Sequence, residues 1–309
     1  MISKLILGTA QLGLNYGITN KHGKPYFEDS QNLVQLAINK GVLILDTART
    51  YGESEEIIGY AIPNSIRHSI TVITKLSHLS ELSEKASKEE VNYQVDFSIA
   101  QSIHALQTDK IDVLLIHRFS HLSDWSGQVW KRLIYHRNTG KIKSIGVSVQ
   151  SPEELLTSLN YPEVEHLQLP FNLLDSRWDD VTPQIVAVKA SRKLIIHARS
   201  IFLQGLLLSQ EPSYWKRANI LVPEPIWKWL AQKKMQCNRI SLKDLCISYV
   251  AAIPWIDGMV IGVENTAQLL ENISLLKKPS LNIFETNLIK ATRPNLDSQS
   301  LNPAHWKDN

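Results

Sequence analysis

Three titratable side chains stand at the carboxyl ends of apolar segments that follow one another along the chain. Asp46, Lys75 and His117 each come directly after such a segment. Side chains of this kind are costly at the end of a buried strand unless they are paired or take part in chemistry. Tyr51 lies five residues beyond Asp46, in the loop that follows the same segment. Together these groups can transfer protons, and an amine such as Lys75 can also attack a carbonyl.

Eight short apolar runs alternate with longer amphipathic segments. The runs are Leu5–Leu7, Val42–Leu45, Thr71–Ile73, Val113–Ile116, Ile145–Val149, His166–Leu169, Leu194–Ile196 and Met259–Ile261. Such runs are typical of parallel strands that are buried on both faces. They predict an α/β fold, a (β/α)8 TIM barrel, in which the strand ends share the face where active sites sit. A doubly wound open sheet is the alternative, but no G-x-G-x-x-G motif follows any of the runs.

Amphipathic periodicity and capping residues predict helices between the runs. Residues 89–107 carry apolar side chains at three- and four-residue spacing, with acidic residues in the first turn. The pair Ser151-Pro152 is typical of a helix start, with serine as the cap and proline in the first turn. Residues Thr266–Ile273 predict a further helix, with Asn265 as its candidate cap.

The composition narrows the class of protein. The 309 residues carry 33 basic and 30 acidic side chains, a balance that does not favour nucleic-acid binding. Cys237 and Cys246 have no metal-ligand spacing and fit a reducing compartment. No stretch approaches the roughly 18 apolar residues of a membrane span. We therefore expect a cytoplasmic protein without metal, nucleic-acid or membrane partners, with one domain over residues 1–292 and a polar tail over residues 293–309.

Two longer stretches resemble the signatures of one enzyme family. Residues 46–52 read DTARTYG and are followed by Ser54-Glu55 and Ile58-Gly59. Residues 102–117 read SIHALQTDKIDVLLIH. In residue types, order and spacing the chain resembles the aldo-keto reductases, and the resemblance extends from Leu7 to Asn272. It implies a nicotinamide-dependent carbonyl reductase on a (β/α)8 barrel.

The resemblance assigns Asp46, Tyr51, Lys75 and His117 to the catalytic site. A carbonyl becomes an alkoxide as hydride arrives, so a proton donor is needed at its oxygen. A phenol ordinarily has a pKa of about 10, and a nearby ammonium group stabilises the phenolate. Lys75 would stabilise Tyr51 in this way, and Asp46 would hold Lys75 charged. His117 would hydrogen-bond the carbonyl oxygen, with Tyr51 as general acid in reduction and general base in alcohol oxidation.

The same resemblance implies a second group of residues that bind the cofactor. Gly8 and Thr9 match the turn that borders it, and Ser148 and Gln168 match the partners of the nicotinamide amide. The other implied cofactor residues are Arg199, Ser200, Phe202, Gly262, Gln268, Glu271 and Asn272. The last two of these match the pair that binds adenine. NADP(H) is the cofactor that the resemblance implies, and NAD(H) is the alternative.

Some positions depart from the family pattern. Arg199 stands where many members stack an aromatic residue on the nicotinamide, and a guanidinium group can stack there or reach an anionic substrate. Ala10 and Arg118 replace two aromatic residues of the aldose-reducing branch. These departures predict a polar, positively charged substrate pocket and a hydrophilic, sugar-like substrate. Alternatively, Arg118 points outward and pairs with Asp124.

A further departure concerns the choice of dinucleotide. Gly262 and Gln268 stand where members that bind a 2′-phosphate often have Lys and Arg, and Glu264 is close by. A carboxylate repels a phosphate, so these positions weaken the inference of NADPH and leave NADH open.

Two other functions remain open at this point. Lys75 on a barrel strand could form a Schiff base, as in aldolases, although a lysine paired with Asp46 stays protonated and is a poor nucleophile. A cofactor-binding, redox-sensing subunit with little turnover is the other, because fold and motif alone do not fix function. For the reductase, we expect a small carbonyl substrate as partner and a monomer or small homo-oligomer.

Overall fold

Eight parallel strands close into a barrel in which the strand order follows the chain. The computed structural model describes residues 4–20 and 23–306. The strands are β1 (Leu5–Gly8), β2 (Ile44–Asp46), β3 (Thr71–Lys75), β4 (Ile111–Ile116), β5 (Ile142–Ser148), β6 (His166–Pro170), β7 (Ile195–Arg199) and β8 (Gly258–Gly262). Each apolar run of the sequence supplies one strand. The predicted single-domain (β/α)8 barrel is therefore confirmed.

Helices surround the barrel and connect its strands. Within the described residues they are α1 (Ala10–Gly13), α2 (Phe27–Asn39), α3 (Ser54–Ala61), α4 (Lys88–Ala105), α5 (Asp124–Asn138), α6 (Pro152–Leu159), α7 (Thr182–Ser191), α8 (Pro212–Arg217), α9 (Glu224–Gln236), α10 (Leu242–Ala252), α11 (Thr266–Leu276), α12 (Ile283–Thr292) and α13 (Ser298–Leu301). None of these helices is both long and apolar enough to cross a membrane.

Capping side chains explain where the predicted helices begin. The Ser87 hydroxyl accepts the N–H of Glu90, and the Glu90 carboxylate accepts the N–H of Ser87, so α4 begins with a capping box. Ser151 caps α6 and Asn265 caps α11, each by accepting a backbone N–H from the first turn. All three helices that the sequence predicts are confirmed.

The strand ends bring the candidate catalytic residues to one rim of the barrel. Asp46 ends β2, Lys75 ends β3, and His117 follows directly on β4. Ser148 ends β5, where it is in register with Gln168 of β6. Because all eight strands run in the same direction, these five residues lie at the same end of the barrel.

The interior of the barrel is charged at its carboxyl end and apolar below that end. Residues two apart on a strand point to the same face, so Ile73 lies beneath Lys75. Ile73 packs with Val113, Leu115 and Ile44 in a small interior cluster. The much larger apolar core lies between the sheet and the helices. The charged residues at the rim therefore rest on an apolar layer.

The segment that follows α12 lies against the loop between β6 and α7. The guanidinium group of Arg293 forms an ion pair with Asp179 in that loop. Leu301 is buried, and the indole of Trp306 donates to a backbone oxygen of α13 (3.0 Å). The Arg293 pair anchors the start of this segment at the carboxyl end of the barrel.

Two histidines form a hydrogen-bonded pair on the adjacent strands β6 and β7. His166 Nε2 and His197 Nδ1 are 2.9 Å apart, and both rings are buried. Burial lowers the pKa of His166 well below its ordinary value. Burial also lowers the pKa of His197 to about 4. Both rings are therefore neutral at neutral pH, and one donates to the other.

We expect acid to destabilise the protein through this pair. An unfolded histidine takes up a proton below about pH 6.5, whereas the folded His197 stays neutral down to about pH 4. Between these values the unfolded chain binds more protons, so the free energy of unfolding falls with the pH. His197→Asn should remove about 2 kcal/mol of the decrease between about pH 7 and about pH 5, measured by urea unfolding.

The exposed His68 provides the control for this measurement. His68→Asn should leave the decrease between the two pH values as in the unmodified protein. The explanation is wrong if His197→Asn and His68→Asn show the same pH dependence.

Candidate active site

A buried ion pair joins the ends of β2 and β3. Lys75 Nζ donates to Asp46 Oδ1 (2.8 Å) and to the backbone oxygen of Thr47 (2.9 Å). The other carboxylate oxygen of Asp46 accepts from Gln168 Nε2 (2.6 Å). Burial acts to lower the pKa of Lys75, but the charges of Asp46 and Tyr51 outweigh it and hold the pKa above its ordinary value. Lys75 is therefore an ammonium group.

Tyr51 is presented to this ammonium group by the loop between β2 and α3. Lys75 Nζ lies 5.0 Å from the centroid of the Tyr51 ring. The backbone N–H of Tyr51 donates to the backbone oxygen of Ala48 (3.0 Å), and the backbone oxygen of Tyr51 accepts from the N–H of Ser54 (3.1 Å). A Cβ at Gly13 would lie 1.7 Å from the same Tyr51 oxygen. The end of α1 can therefore pack against this loop only because residue 13 is glycine.

A second buried carboxylate anchors the Tyr51 loop from behind. Glu55 Oε1 accepts from the Thr74 hydroxyl (2.6 Å), and Glu55 Oε2 pairs with the guanidinium group of Arg49. Burial raises the pKa of Glu55, while the hydrogen bond from Thr74 and the charge of Arg49 oppose the rise. The N–H of Arg49 also donates to the oxygen of Lys75 (3.1 Å). Side chains and backbone thus tie the loop to β3.

His117 stands beside the phenol, directly after β4. Its ring meets the ring of Tyr51 edge-on, with centroids 5.8 Å apart, and its Nδ1 lies 3.3 Å from the Thr50 hydroxyl. Burial, with a further contribution from the charge of Lys75, lowers the pKa of His117 to about 2. The ring is therefore neutral. When the Thr50 hydroxyl donates to Nδ1, the ring proton resides on Nε2, and His117 is a neutral hydrogen-bond donor.

One cavity extends from these residues across the ends of β1, β7 and β8 to α11. Many of the residues that the sequence assigns to the site line it together. They are Gly8, Thr9, Ala10, Asp46, Tyr51, Gln168, Arg199, Ser200, Phe202, Gly262, Gln268 and Asn272. The barrel thus gathers residues from both ends of the chain around one space.

The other assigned residues lie around this cavity and do not form its wall. Lys75 and His117 contact the ring of Tyr51. Ser148 is buried at the end of β5. Glu271 is half-exposed, and its carboxylate forms an ion pair with Lys243 of α10.

Two arginines add positive charge near the phenol. Arg199 is half-buried at the end of β7, where its Nη2 donates to the oxygen of Val149 (3.3 Å). The charge of Arg118 adds to the lowering of the pKa of His117. Within residues 4–20 and 23–306 no ion pair joins Arg118 to Asp124, whose carboxylate accepts instead from a serine hydroxyl of the same loop. The alternative pairing of Arg118 is therefore not found.

Three parts of the wall were not anticipated from the sequence. Tyr16 lies in the loop after α1, and Gln204, in the loop after β7, donates to its hydroxyl (3.5 Å). The two loops also meet where a Cβ at Gly205 would lie 2.3 Å from the hydroxyl of Thr19. Lys243 reaches the cavity from α10. Neither loop has a periodic pattern, and their local signals are glycines with positive φ, such as Gly17 (+103°) and Gly205 (+92°).

Comparisons with known proteins identify the same family that the sequence motifs resemble. The model of the Aldo/keto reductase family matches residues 4–293. The chain is 25% identical over 300 residues to D-arabinose 1-dehydrogenase of Saccharomyces cerevisiae, covering 89% of the chain and 84% of that protein. It is 27% identical over 183 residues to the aldo-keto reductase YhdN of Bacillus subtilis, covering 58% of the chain and 53% of that protein.

A solved structure agrees on the fold. The holo form of the aldo-keto reductase AKR11C1 of Bacillus halodurans superimposes with a TM-score of 0.74 at 18% identity, covering 96% of this chain and 95% of that one. At this identity the likeness shows the fold alone. The chain spans about half the length of two of the curated relatives that it matches.

We expect the Glu55 carboxylate to stabilise the fold as well as the site. Glu55→Ala leaves Arg49 without its buried partner and Thr74 without an acceptor, which should lower the free energy of unfolding by about 3 kcal/mol. The matched control is Glu53→Ala, because Glu53 pairs with Lys24 at the surface. That change should cost less than about 1 kcal/mol. Urea unfolding measures both, and equal losses would show that the buried pair has no special part.

Proposed function

Since the chain belongs to the aldo/keto reductase family, we propose that it transfers hydride between a nicotinamide cofactor and an aldehyde or ketone, with Tyr51 as general acid and base. Membership of the family implies nicotinamide-dependent carbonyl chemistry. One observation carries the assignment of Tyr51. A buried ammonium group, held charged by Asp46, lies 5.0 Å from the ring of this phenol.

The cavity has two unsatisfied acceptors that fit a dinucleotide. Gln168 Oε1 and Asn272 Oδ1 are buried and find no donor among the described residues. A buried acceptor without a partner costs on the order of 1–3 kcal/mol. The amide of nicotinamide and the amino group of adenine are donors of the required kind. A bound cofactor would supply the hydride, and Gly8, Thr9 and Arg199, which line the cavity, would help to hold it.

The residues around Tyr51 can carry a proton to the carbonyl oxygen. Tyr51 donates its phenolic proton as the oxygen gains charge, and Lys75 stabilises the phenolate that remains. His117 donates from Nε2 to the same oxygen and orients it. In alcohol oxidation the phenolate of Tyr51 takes the proton back. Because the ion pair behind Tyr51 is shielded from water, its charges act more strongly on the phenol than they would in solution.

A polar, sugar-like substrate fits the surroundings of this site. Ala10 leaves space in the cavity wall where a larger side chain would narrow it. Arg118 and Arg199 place positive charge near the reacting oxygen, which favours hydroxylated or anionic compounds. The relative named D-arabinose 1-dehydrogenase acts on a sugar by its name, and this supports the same substrate class.

A Schiff-base aldolase is disfavoured by the state of Lys75. An amine must lose its proton before it can attack a carbonyl. Asp46 holds the Lys75 pKa above its ordinary value despite burial, so the neutral amine is scarce. The geometry therefore supports the use of Lys75 as a charge and not as a nucleophile.

We expect both dinucleotides to bind in the micromolar range or tighter, without a preference for NADPH. Gly262 and Gln268 offer no cation to a 2′-phosphate, Glu264 lines the cavity, and Lys243 is already paired with Glu271. Quenching of the intrinsic fluorescence measures both dissociation constants. Glu264→Gln should strengthen NADPH binding by about threefold or more and leave NADH binding unchanged.

The titration tests the choice of dinucleotide separately from cofactor binding itself. A preference for NADPH above about tenfold would contradict the expected dinucleotide choice. Failure of the protein to bind either dinucleotide would contradict the proposed function itself.

Tyr51→Phe should abolish most of the turnover and spare cofactor binding. The substitution removes the proton donor but keeps the ring, so kcat for a panel of sugars and other carbonyl compounds should fall by about 100-fold or more. The NADH dissociation constant should stay within about twofold. A variant that retains turnover, or a covalent adduct at Lys75 trapped by borohydride, would refute the role of Tyr51. An unmodified protein that binds cofactor without turning over any carbonyl would favour the redox-sensing subunit.

A further inference from the structure

Gln168 links the wall of the cavity to the buried ion pair. Its Nε2 donates to Asp46 Oδ2 (2.6 Å), across 122 residues of sequence, while Lys75 donates to Asp46 Oδ1 (2.8 Å). Asp46 thus accepts from two donors, one at each of its carboxylate oxygens. One of these donors faces the phenol, and the other faces the space proposed for the cofactor.

The orientation of the Gln168 amide follows from the chemistry of its neighbour. The ionised carboxylate of Asp46 can only accept hydrogen bonds, so the NH2 group of Gln168 must face it. The carbonyl oxygen Oε1 then faces away from Asp46. It is buried, and no donor among the residues of the structure reaches it. A ligand that carries an N–H group, such as a carboxamide, would satisfy it.

We infer that Gln168 is a positioning residue that couples occupation of the carboxamide site to proton transfer by Tyr51. The inference rests on the proposed function. A donor at Oε1 polarises the amide and strengthens the hydrogen bond from Nε2 to Asp46. Gln168 then neutralises more of the negative charge of Asp46, and Lys75 neutralises less of it. More of the field of Lys75 therefore acts on the phenol, and the phenolate of Tyr51 becomes easier to form when the site is filled.

Ser148 supplies a matched comparison at the same depth in the barrel. It is in register with Gln168 on the adjacent strand and is also assigned to the amide of the cofactor. In the described parts of the chain, no hydrogen bond joins its side chain to Asp46, whose donors are Lys75 and Gln168. Loss of the Ser148 hydroxyl can weaken cofactor binding, but it has no direct route to the ion pair.

The first test is the pH profile of kcat for alcohol oxidation at saturating cofactor, in which the phenolate is the active form. Gln168→Met keeps the length of the side chain and removes the donor to Asp46. We expect the midpoint of the pH profile of this variant to move upward by about 0.5 to 1 pH unit. Ser148→Ala should weaken cofactor binding and leave the midpoint within about 0.2 unit of the unmodified protein.

The second test needs no turnover. NADH dissociation constants are measured by fluorescence quenching for Gln168→Met, for Asp46→Asn and for the double variant. If the hydrogen bond transmits the coupling, the change in dissociation constant of the double variant should differ by about fivefold or more from the product of the two single changes. Multiplicative effects together with an unshifted midpoint in Gln168→Met would overturn the inference.

Failure of the inference can be told apart from failure of the proposed function. In the first case the unmodified protein binds NADH and oxidises alcohols, but Gln168→Met behaves like Ser148→Ala. In the second case the unmodified protein itself lacks cofactor binding or turnover. If Gln168→Met does not fold, as judged by its circular dichroism, Gln168→Leu removes the same donor and is subject to the same two measurements.

Discussion

Lys75 and Asp46 bring opposite charges into a part of the barrel that solvent barely reaches, with 2.8 Å between Nζ and Oδ1. Removing such ions from water costs several kcal/mol each, and mutual attraction returns that cost only when every remaining donor and acceptor is satisfied. The site is organised around this requirement. The ammonium group donates a second hydrogen bond to the backbone oxygen of Thr47, and Gln168 donates to the second oxygen of the carboxylate. A charge that is costly for stability is thereby kept available to act on Tyr51.

The same pair explains why the Tyr51 loop is held by contacts on both sides. An electrostatic effect on a phenol weakens as the charge moves away, so the Tyr51 loop must hold its distance from Lys75. The loop is fixed on one side by the contact with Gly13 and on the other by Arg49 and Glu55. His117 is kept neutral by burial and by the ammonium group, and a neutral ring adds no second positive charge beside the first.

Much of the fold could be read from the sequence because its signals are local. Apolar runs mark the strands, capping residues such as Ser87 and Asn265 mark the helix starts, and a closed parallel barrel then fixes which strand ends meet. The proximity of Asp46, Tyr51, Lys75 and His117 follows from that rule together with a specific motif. The link from Gln168 to Asp46 could not be read in this way, because it depends on two strands meeting across the barrel. The pairing of Glu271 with Lys243 likewise depends on how two helices face each other.

The loops mark the physical limit of sequence reasoning for this protein. Strand-end residues are placed by backbone register, which a run of apolar residues determines almost completely. Tyr16 and Gln204 belong to loops without a repeating pattern, which meet through the hydrogen bond between these two side chains and the close approach of Thr19 to Gly205. The residues at the strand ends can therefore be placed from the sequence, because local pattern and geometry coincide there. The loops that follow β1 and β7 meet above the strand ends, and there geometry arises from contacts that no single segment of sequence specifies.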